Sequence, residues 1–190
     1  MPTPEEVLNA IKDTDVELPV LLALWLGMRL SEIQGLRFSD VFPNSIITIS
    51  HVRVVVDGKL TEKSTTKTYN STRRIQAPIE IIQMIQQIPR DSNSEYIVTY
   101  CRGGIYKRFK RVIKNAGLKD MTFHDLRHLN ASVMLALGVP DKYAMERGGW
   151  ASNNVLKSVY QHTFSDERQH IDNRIDDYFR KIFSTEIDGK

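Results

Sequence analysis

The sequence predicts a mainly α-helical α+β domain with one small three-stranded antiparallel sheet. Two patterns carry that expectation. Apolar residues recur at helical spacing in several separated segments, and between residues 45 and 76 this spacing gives way to β-branched runs and an Asp57-Gly58 turn. A third observation bounds the size: 190 residues with 41% apolar content suffice for one buried core and lack the composition of a disordered chain.

In chain order, residues 5–12 read as a short amphipathic helix and Leu18 to Leu26 as a largely buried one ending near Gly27. The next segment is GMRLSEIQGLRFSDV. Ser31 can cap a helix there that turns Ile33 and Leu36 inward, leaving Arg29 on the connection between two helices. SIITISHVRVVV reads as one or two strands. Asp57-Gly58 turns the chain into a return strand, LTEKSTTKT, and TRRIQAP supplies the third strand. Lys63, Lys67, Arg73 and Arg74 then lie on or beside a hairpin able to reach into a groove. Pro78 opens a helix with Ile81, Ile82, Ile85 and Ile88 inward, closed by Pro89; the Asp91 to Ser94 loop and the apolar EYIVTY follow. Ile105, Phe109, Val112, Ile113 and Ala116 mark one face of a further helix. Lys107, Arg108, Lys110, Arg111 and Lys114 occupy the rest of its circumference.

Charge is distributed unevenly along the chain. The net value is +3, yet Tyr96 to Lys119 holds seven Lys or Arg and no acid, while Ser165 to Lys190 holds seven acids against five bases. A basic body suits an anionic polymer, although a solvated helix face explains any single run equally well. The longest apolar run is too short to span a bilayer and lacks a signal peptide's basic flank, so a cytoplasmic protein without membrane contact is expected. One cysteine, Cys101, permits no internal disulfide and no zinc site of its own.

The stretch TFHDLRHLNASVMLALGVPDKYAMERGGWASNNVLKSVYQHT, Thr122 to Thr163, concentrates the reactive side chains. Thr122 can cap a helix that buries Leu126, Leu129, Val133, Ala136 and Leu137 and presents His124, Arg127 and His128 on the opposite face. A second helix runs from Pro140 to Gly148-Gly149, and a third, capped by Ser152 or Asn153, carries Tyr160. Three chemistries fit. His124 and His128 at i and i+4 match a zinc helix, but Asp125 replaces the usual glutamate and Arg127 sets a cation beside the metal. The last two helices match a helix-turn-helix without catalysis, which has no use for Arg29 or a histidine-arginine pair. Two arginines, a lysine, a histidine and a tyrosine are the inventory for breaking a phosphodiester without metal: guanidiniums hold the non-bridging oxygens, a phenol attacks phosphorus and a lysine protonates the leaving oxygen.

GMRLSEI with Arg29 and Glu32, TTKT with Lys67 followed by STRRI, HDLRH with His124 and Arg127, and GGW with VYQH around Tyr160 resemble, in that order, the boxes of the tyrosine recombinase family of phage and transposon integrases. The resemblance spans about residues 17 to 163 and implies that family's catalytic-domain fold, with DNA cut through a 3′-phosphotyrosine and rejoined without a cofactor or metal. It implies Tyr160 as nucleophile, Arg29 and Arg127 as phosphate clamps, Lys67 as general acid with Lys63 as its rival, and His124 in acid-base support. Glu32 and His128 stand behind these as supporting groups. Trp150 occupies a position where family members usually have histidine; its indole can donate to the phosphate while its ring packs. Arg73, Arg74, Lys107, Arg108, Lys110 and Arg111 are the expected DNA contacts. A type IB topoisomerase shares this chemistry, and a catalytically silent DNA-binding relative shares the fold.

The expected organisation is a catalytic domain over residues 1–164 and an amphipathic helical tail over 165–190, in which Ile171, Ile175, Tyr178, Phe179, Ile182 and Phe183 share a face. The tail closes its own domain or docks on a neighbouring protomer. The resemblance further implies a missing N-terminal DNA-binding half, double-stranded attachment-type sites as substrate, and tetrameric self-association of the full-length protein on DNA.

Overall fold

Thr3 and Glu6 cap the first helix reciprocally. Thr3 Oγ1 accepts from the Glu6 N–H at 3.2 Å and Glu6 Oε2 accepts from the Thr3 N–H at 2.7 Å, so α1 (Pro4–Ile11) starts where its orphan donors are satisfied. It buries Val7 and Ile11 against α2 (Glu17–Leu24), whose ELPVLLAL sequence is apolar on almost every side and is buried accordingly. The structure is a computed structural model that describes residues 1–57, 59–64, 72–90, 94–150, 152 and 176.

Gly27 takes a positive φ of 68° after α2 and turns the chain into α3 (Leu30–Gly35). The expected cap at Ser31 is displaced by two residues. Arg29 is the extended residue before the helix, and Glu32 Oε2 accepts its N–H at 2.8 Å, because a glutamate three residues on can complete the cap from the other side. After a 3-10 turn at Phe38–Asp40, β1 (Ile46–Ile49) and β2 (His51–Val56) follow with Ser50 between them.

That break corrects the expected three-stranded sheet. Among the described residues β2 pairs antiparallel with β3 (Lys59–Ser64), while β4 (Arg73–Gln76) pairs antiparallel with β1, giving two two-stranded pairs. The first pair is held to the body by a polar knot. Tyr96 Oη donates to Glu62 at 2.6 Å, Arg37 also pairs with Glu62, and the Arg53 guanidinium lies 3.9 Å from the Tyr96 ring centroid. Gly35 allows α3 to approach β2, since a Cβ there would meet the His51 carbonyl oxygen at 2.7 Å.

The remaining helices are α4 (Ile79–Gln87), α5 (Arg102–Asn115), α6 (Asp125–Ala136) and α7 (Asp141–Gly148). Ile81, Ile82 and Ile85 of α4 and Ile105, Phe109 and Ile113 of α5 enter the core, and Phe109 meets Phe123 edge to face at 5.4 Å. Ala116, expected inward, is exposed at the end of α5. Thr122 and Asp125 cap α6 reciprocally, as the sequence suggests. The face that α6 buries is different from the one expected: Leu126 and Leu129 are inside, but so are Arg127, Asn130, Ala131 and Met134, while Val133, Ala136 and Leu137 are exposed. Asn130 Nδ2 donates to the Trp25 carbonyl at 3.1 Å and fixes this rotation against α2. Among the described residues no helix is long and apolar enough to cross a membrane.

Candidate active site

Three guanidiniums converge on the end of α7. Arg73 Nε donates to the Arg147 carbonyl at 2.9 Å, Arg127 Nη1 to the Gly148 carbonyl, and Arg29 Nη2 to the Gly149 carbonyl at 2.7 Å. The last carbonyls of a helix lack partners within it and carry the negative end of its dipole, so cations belong there. Gly149, at φ 68°, ends the helix in the left-handed conformation. Gly148 lies beneath the Trp150 ring, where a Cβ would come within 2.0 Å of an indole carbon. Gly148→Ala is therefore expected to destabilise the fold by about 1–3 kcal/mol through overpacking, read as a lowered urea midpoint at unchanged slope.

Glu32 joins two of the three arginines. Its carboxylate, 2% exposed, accepts from Arg73 Nη1 and Nη2 at 2.9 Å each, and from Arg29 Nη1 at 2.8 Å. Burial pushes this carboxyl up, but the Arg73 hydrogen bonds and the charges of Arg73 and Arg29 outweigh it and leave its pKa below the ordinary value. The carboxylate is ionised at neutral pH.

Arg127 is the most deeply placed cation. At 2% exposure it donates through Nη1 to the Gly27 and Gly148 carbonyls, and its guanidinium carbon lies 4.2 Å from the Trp150 ring centroid. Burial first, then the nearby Arg29 charge, lowers its pKa to about 9, which still leaves it cationic at pH 7. Its Nη2 is buried with no hydrogen-bond partner among the described residues. Such a group is costly unless something anionic or polar meets it. Arg127 also lines a cleft of about 310 Å³ together with Arg29, Arg102, Tyr106, Thr122 and His124.

His124 is exposed at the start of α6, and its ring stands edge to face with His128 at 4.7 Å. Partial burial of its ring, then the charges of His128 and Arg127, depress the His124 pKa; partial burial likewise depresses that of His128. Both imidazoles are therefore neutral at pH 7. Among the described residues, His128 Nδ1 is buried and unpaired, and no group of three His, Cys, Asp or Glu gathers that could hold a metal ion.

The structure thus brings Arg29, Glu32, His124, Arg127, His128 and Trp150 to one region. Lys67 and Tyr160 lie outside the described residues, as do the helix expected to carry Tyr160 and, apart from Asp176, the tail after residue 165. Arg127 is not presented outward with the histidines, because the carbonyls of Gly27 and Gly148 draw it in. Arg73, expected as a DNA contact on or beside the hairpin, is 8% exposed, since strand alternation puts it on the same inward side of β4 as Ile75. Arg74 and Lys63 are exposed. Lys107 and Arg111 are exposed on α5, while Arg108 pairs with Asp15 at 2.7 Å and Lys110 pairs with Asp120. Arg102 and Tyr106 were missed as cleft residues; their helical offset of four, one turn apart on the start of the basic helix, was the available signal.

Residues 4–167 match the family model described as the phage integrase family. A tyrosine recombinase XerC-like protein of Caldanaerobacter subterraneus subsp. tengcongensis is 23% identical over 205 residues, covering 92% of this chain and 52% of that protein. The integrase of Staphylococcus phage L54a is 27% identical over 157 residues, covering 72% of this chain and 44% of its own. In three dimensions the chain is similar to the Tn1549 transposon integrase in complex with transposon right end DNA, at a TM-score of 0.70 and 20% identity, covering 90% of this chain and 65% of that one. The chain spans about half the length of these two sequence relatives.

Proposed function

The chain belongs to the phage integrase family, and from that premise we propose that it performs the strand cleavage and rejoining step of site-specific DNA recombination. The observation that carries the reading is the cleft that Arg29, His124 and Arg127 line together, behind which Arg127 Nη2 is buried and unpaired among the described residues. Two guanidiniums meeting at a cleft suit a tetrahedral anion, and a phosphodiester gains negative charge on its non-bridging oxygens as it becomes five-coordinate.

In this mechanism the Tyr160 phenol oxygen bonds to phosphorus as the bond to the 5′ oxygen breaks. The phenol proton passes to a nearby base, for which neutral His124 is suited, and Lys67 protonates the departing 5′ oxygen. The 3′-phosphotyrosine conserves the phosphoester energy. A 5′ hydroxyl then attacks the same phosphorus, restores the DNA ester and releases the phenol, so the cycle needs no nucleotide cofactor. The substrate is double-stranded DNA at attachment-type sites, and the protein assembles on it as a tetramer in the cytoplasm, with the residue 165–190 tail closing its own domain or docking on a neighbouring copy.

The test uses nicked suicide duplexes from a randomised pool, denaturing electrophoresis and peptide mapping of any covalent adduct. An adduct on Tyr160 is expected; cleavage without a protein–DNA bond, or an adduct mapped to another residue, overturns the reading. Joining to a partner strand separates recombination from simple topoisomerase-like resealing. The exposed cations of α5 make a further prediction. Lys107→Ala and Arg111→Ala should each weaken DNA binding across all sequences and reduce the salt slope by about 1, with the adduct rate at saturating DNA unchanged.

A further inference from the structure

We propose that Arg73 is a positioning residue for the arginine cluster, orienting Arg29 through the shared Glu32 carboxylate and tethering the end of α7 through the Arg147 carbonyl. The proposal rests on the reading of Arg29 and Arg127 as phosphate clamps. Its basis is the order in which Glu32 is occupied. Arg73 places one Nη on each carboxylate oxygen, at 2.9 Å and 2.9 Å, which fixes the plane of the carboxylate as a two-toothed fork does. The Arg29 Nη1 and backbone N–H then take the lone pairs that remain, at 2.8 Å each. Arg73 is buried and Arg29 has a 41% exposed side chain, so the ordered partner is Arg73 and the one free to meet a ligand is Arg29.

The second half of the tether is at α7. Arg73 Nη1 would lie 2.7 Å from a Cβ at Gly149, so the guanidinium covers this glycine while its Nε holds the Arg147 carbonyl. The neighbouring Gly148 and Gly149 carbonyls are the ones that hold Arg127 and Arg29. One buried side chain therefore fixes the anion that orients one clamp and the turn that anchors both. A misplacement of about 1 Å at a reacting group can cost on the order of a hundredfold in rate, so a small loosening here should be visible in catalysis.

Arg73→Lys keeps the charge beside Glu32 and loses the fork; Arg73→Gln keeps a donor and loses the charge. In the free full chain, the arginine side-chain NMR spectrum should show the Arg29 Nε–H signal shifted and exchanging faster with solvent in Arg73→Lys, in a chain that still unfolds cooperatively above the temperature of the measurement. On suicide DNA, the adduct rate should fall about a hundredfold with affinity for random duplex within about twofold. Placed in an Arg29→Ala background, Arg73→Lys should lose the part of its effect that runs through Arg29, because positions acting through one another are not additive. An unmoved Arg29 signal, additive rate losses, or a loss of affinity and salt slope in place of rate overturns the proposal. So does failure of both variants to fold, which would make Arg73 a core ion pair alone. A wild-type chain that forms no adduct removes the proposed function and still leaves the NMR comparison to decide the role of Arg73.

Discussion

Tyr160→Phe should abolish the covalent adduct, with DNA affinity within about twofold of the parent, and adduct formation by the unaltered chain should persist in EDTA. The substitution removes one oxygen, and that oxygen is the atom that would bond to phosphorus. A phenol is only slightly ionised at neutral pH, so its activation depends on proton removal as the bond forms and on cations that stabilise the product charge. In the proposed mechanism Arg29 and Arg127 are those cations and neutral His124, lining the same cleft, is the proton acceptor. The measurement is a denaturing gel of labelled suicide duplex, run for both proteins with and without chelator. An adduct that survives in Tyr160→Phe assigns the nucleophile elsewhere. Loss of all cleavage in EDTA restores the reading in which His124 and His128 bind a metal.

What was legible in the sequence followed from local chemistry. The run from Leu18 to Leu26 reads as a largely buried helix and α2 occupies Glu17–Leu24, Thr122 and Asp125 are spaced to cap one another, and two glycines after Arg147 announce the end of α7. The positions of the guanidiniums were less legible because their partners are carbonyls remote in sequence. Arg127 is drawn inward by Gly27, a hundred residues earlier, and by Gly148, and backbone acceptors leave no mark in a pattern of side chains. Arg73 carried a usable signal that charge alone concealed: with Ile75 two residues on, it belonged to the inward side of a strand. The sheet's pairing was legible only in part. SIITISHVRVVV reads as one or two strands, and only the pairing partners among the described residues reveal that β1 and β2 part company at Ser50.

Arg29→Ala and Arg127→Ala should each lower the adduct rate by on the order of 10² to 10³ or more, and should differ sharply in stability. In the proposed mechanism both remove a charge-assisted donor from a transition state more negative than the substrate, so rate should suffer more than DNA affinity. Their ground-state surroundings are unlike. Arg29 has a 41% exposed side chain, and after its removal Glu32 keeps both bonds to Arg73 while only the part-buried Gly149 carbonyl loses its donor, so the fold should lose less. Arg127 is buried, and its loss strands the Gly27 and Gly148 carbonyls and uncovers the Trp150 ring. Leaving buried acceptors unpaired costs about 1–3 kcal/mol, so Arg127→Ala should lower the urea midpoint clearly more than Arg29→Ala does. Single-turnover adduct rates at saturating DNA, compared with midpoints for the same preparations, separate the two effects. If both variants cleave at the parental rate and bind DNA weakly, the arginines are backbone contacts and the chain is a DNA-binding relative without this chemistry. If only Arg127→Ala loses rate, in proportion to its unfolded fraction, the guanidinium belongs to the architecture of α6 and α7 and the phosphate is held by other groups.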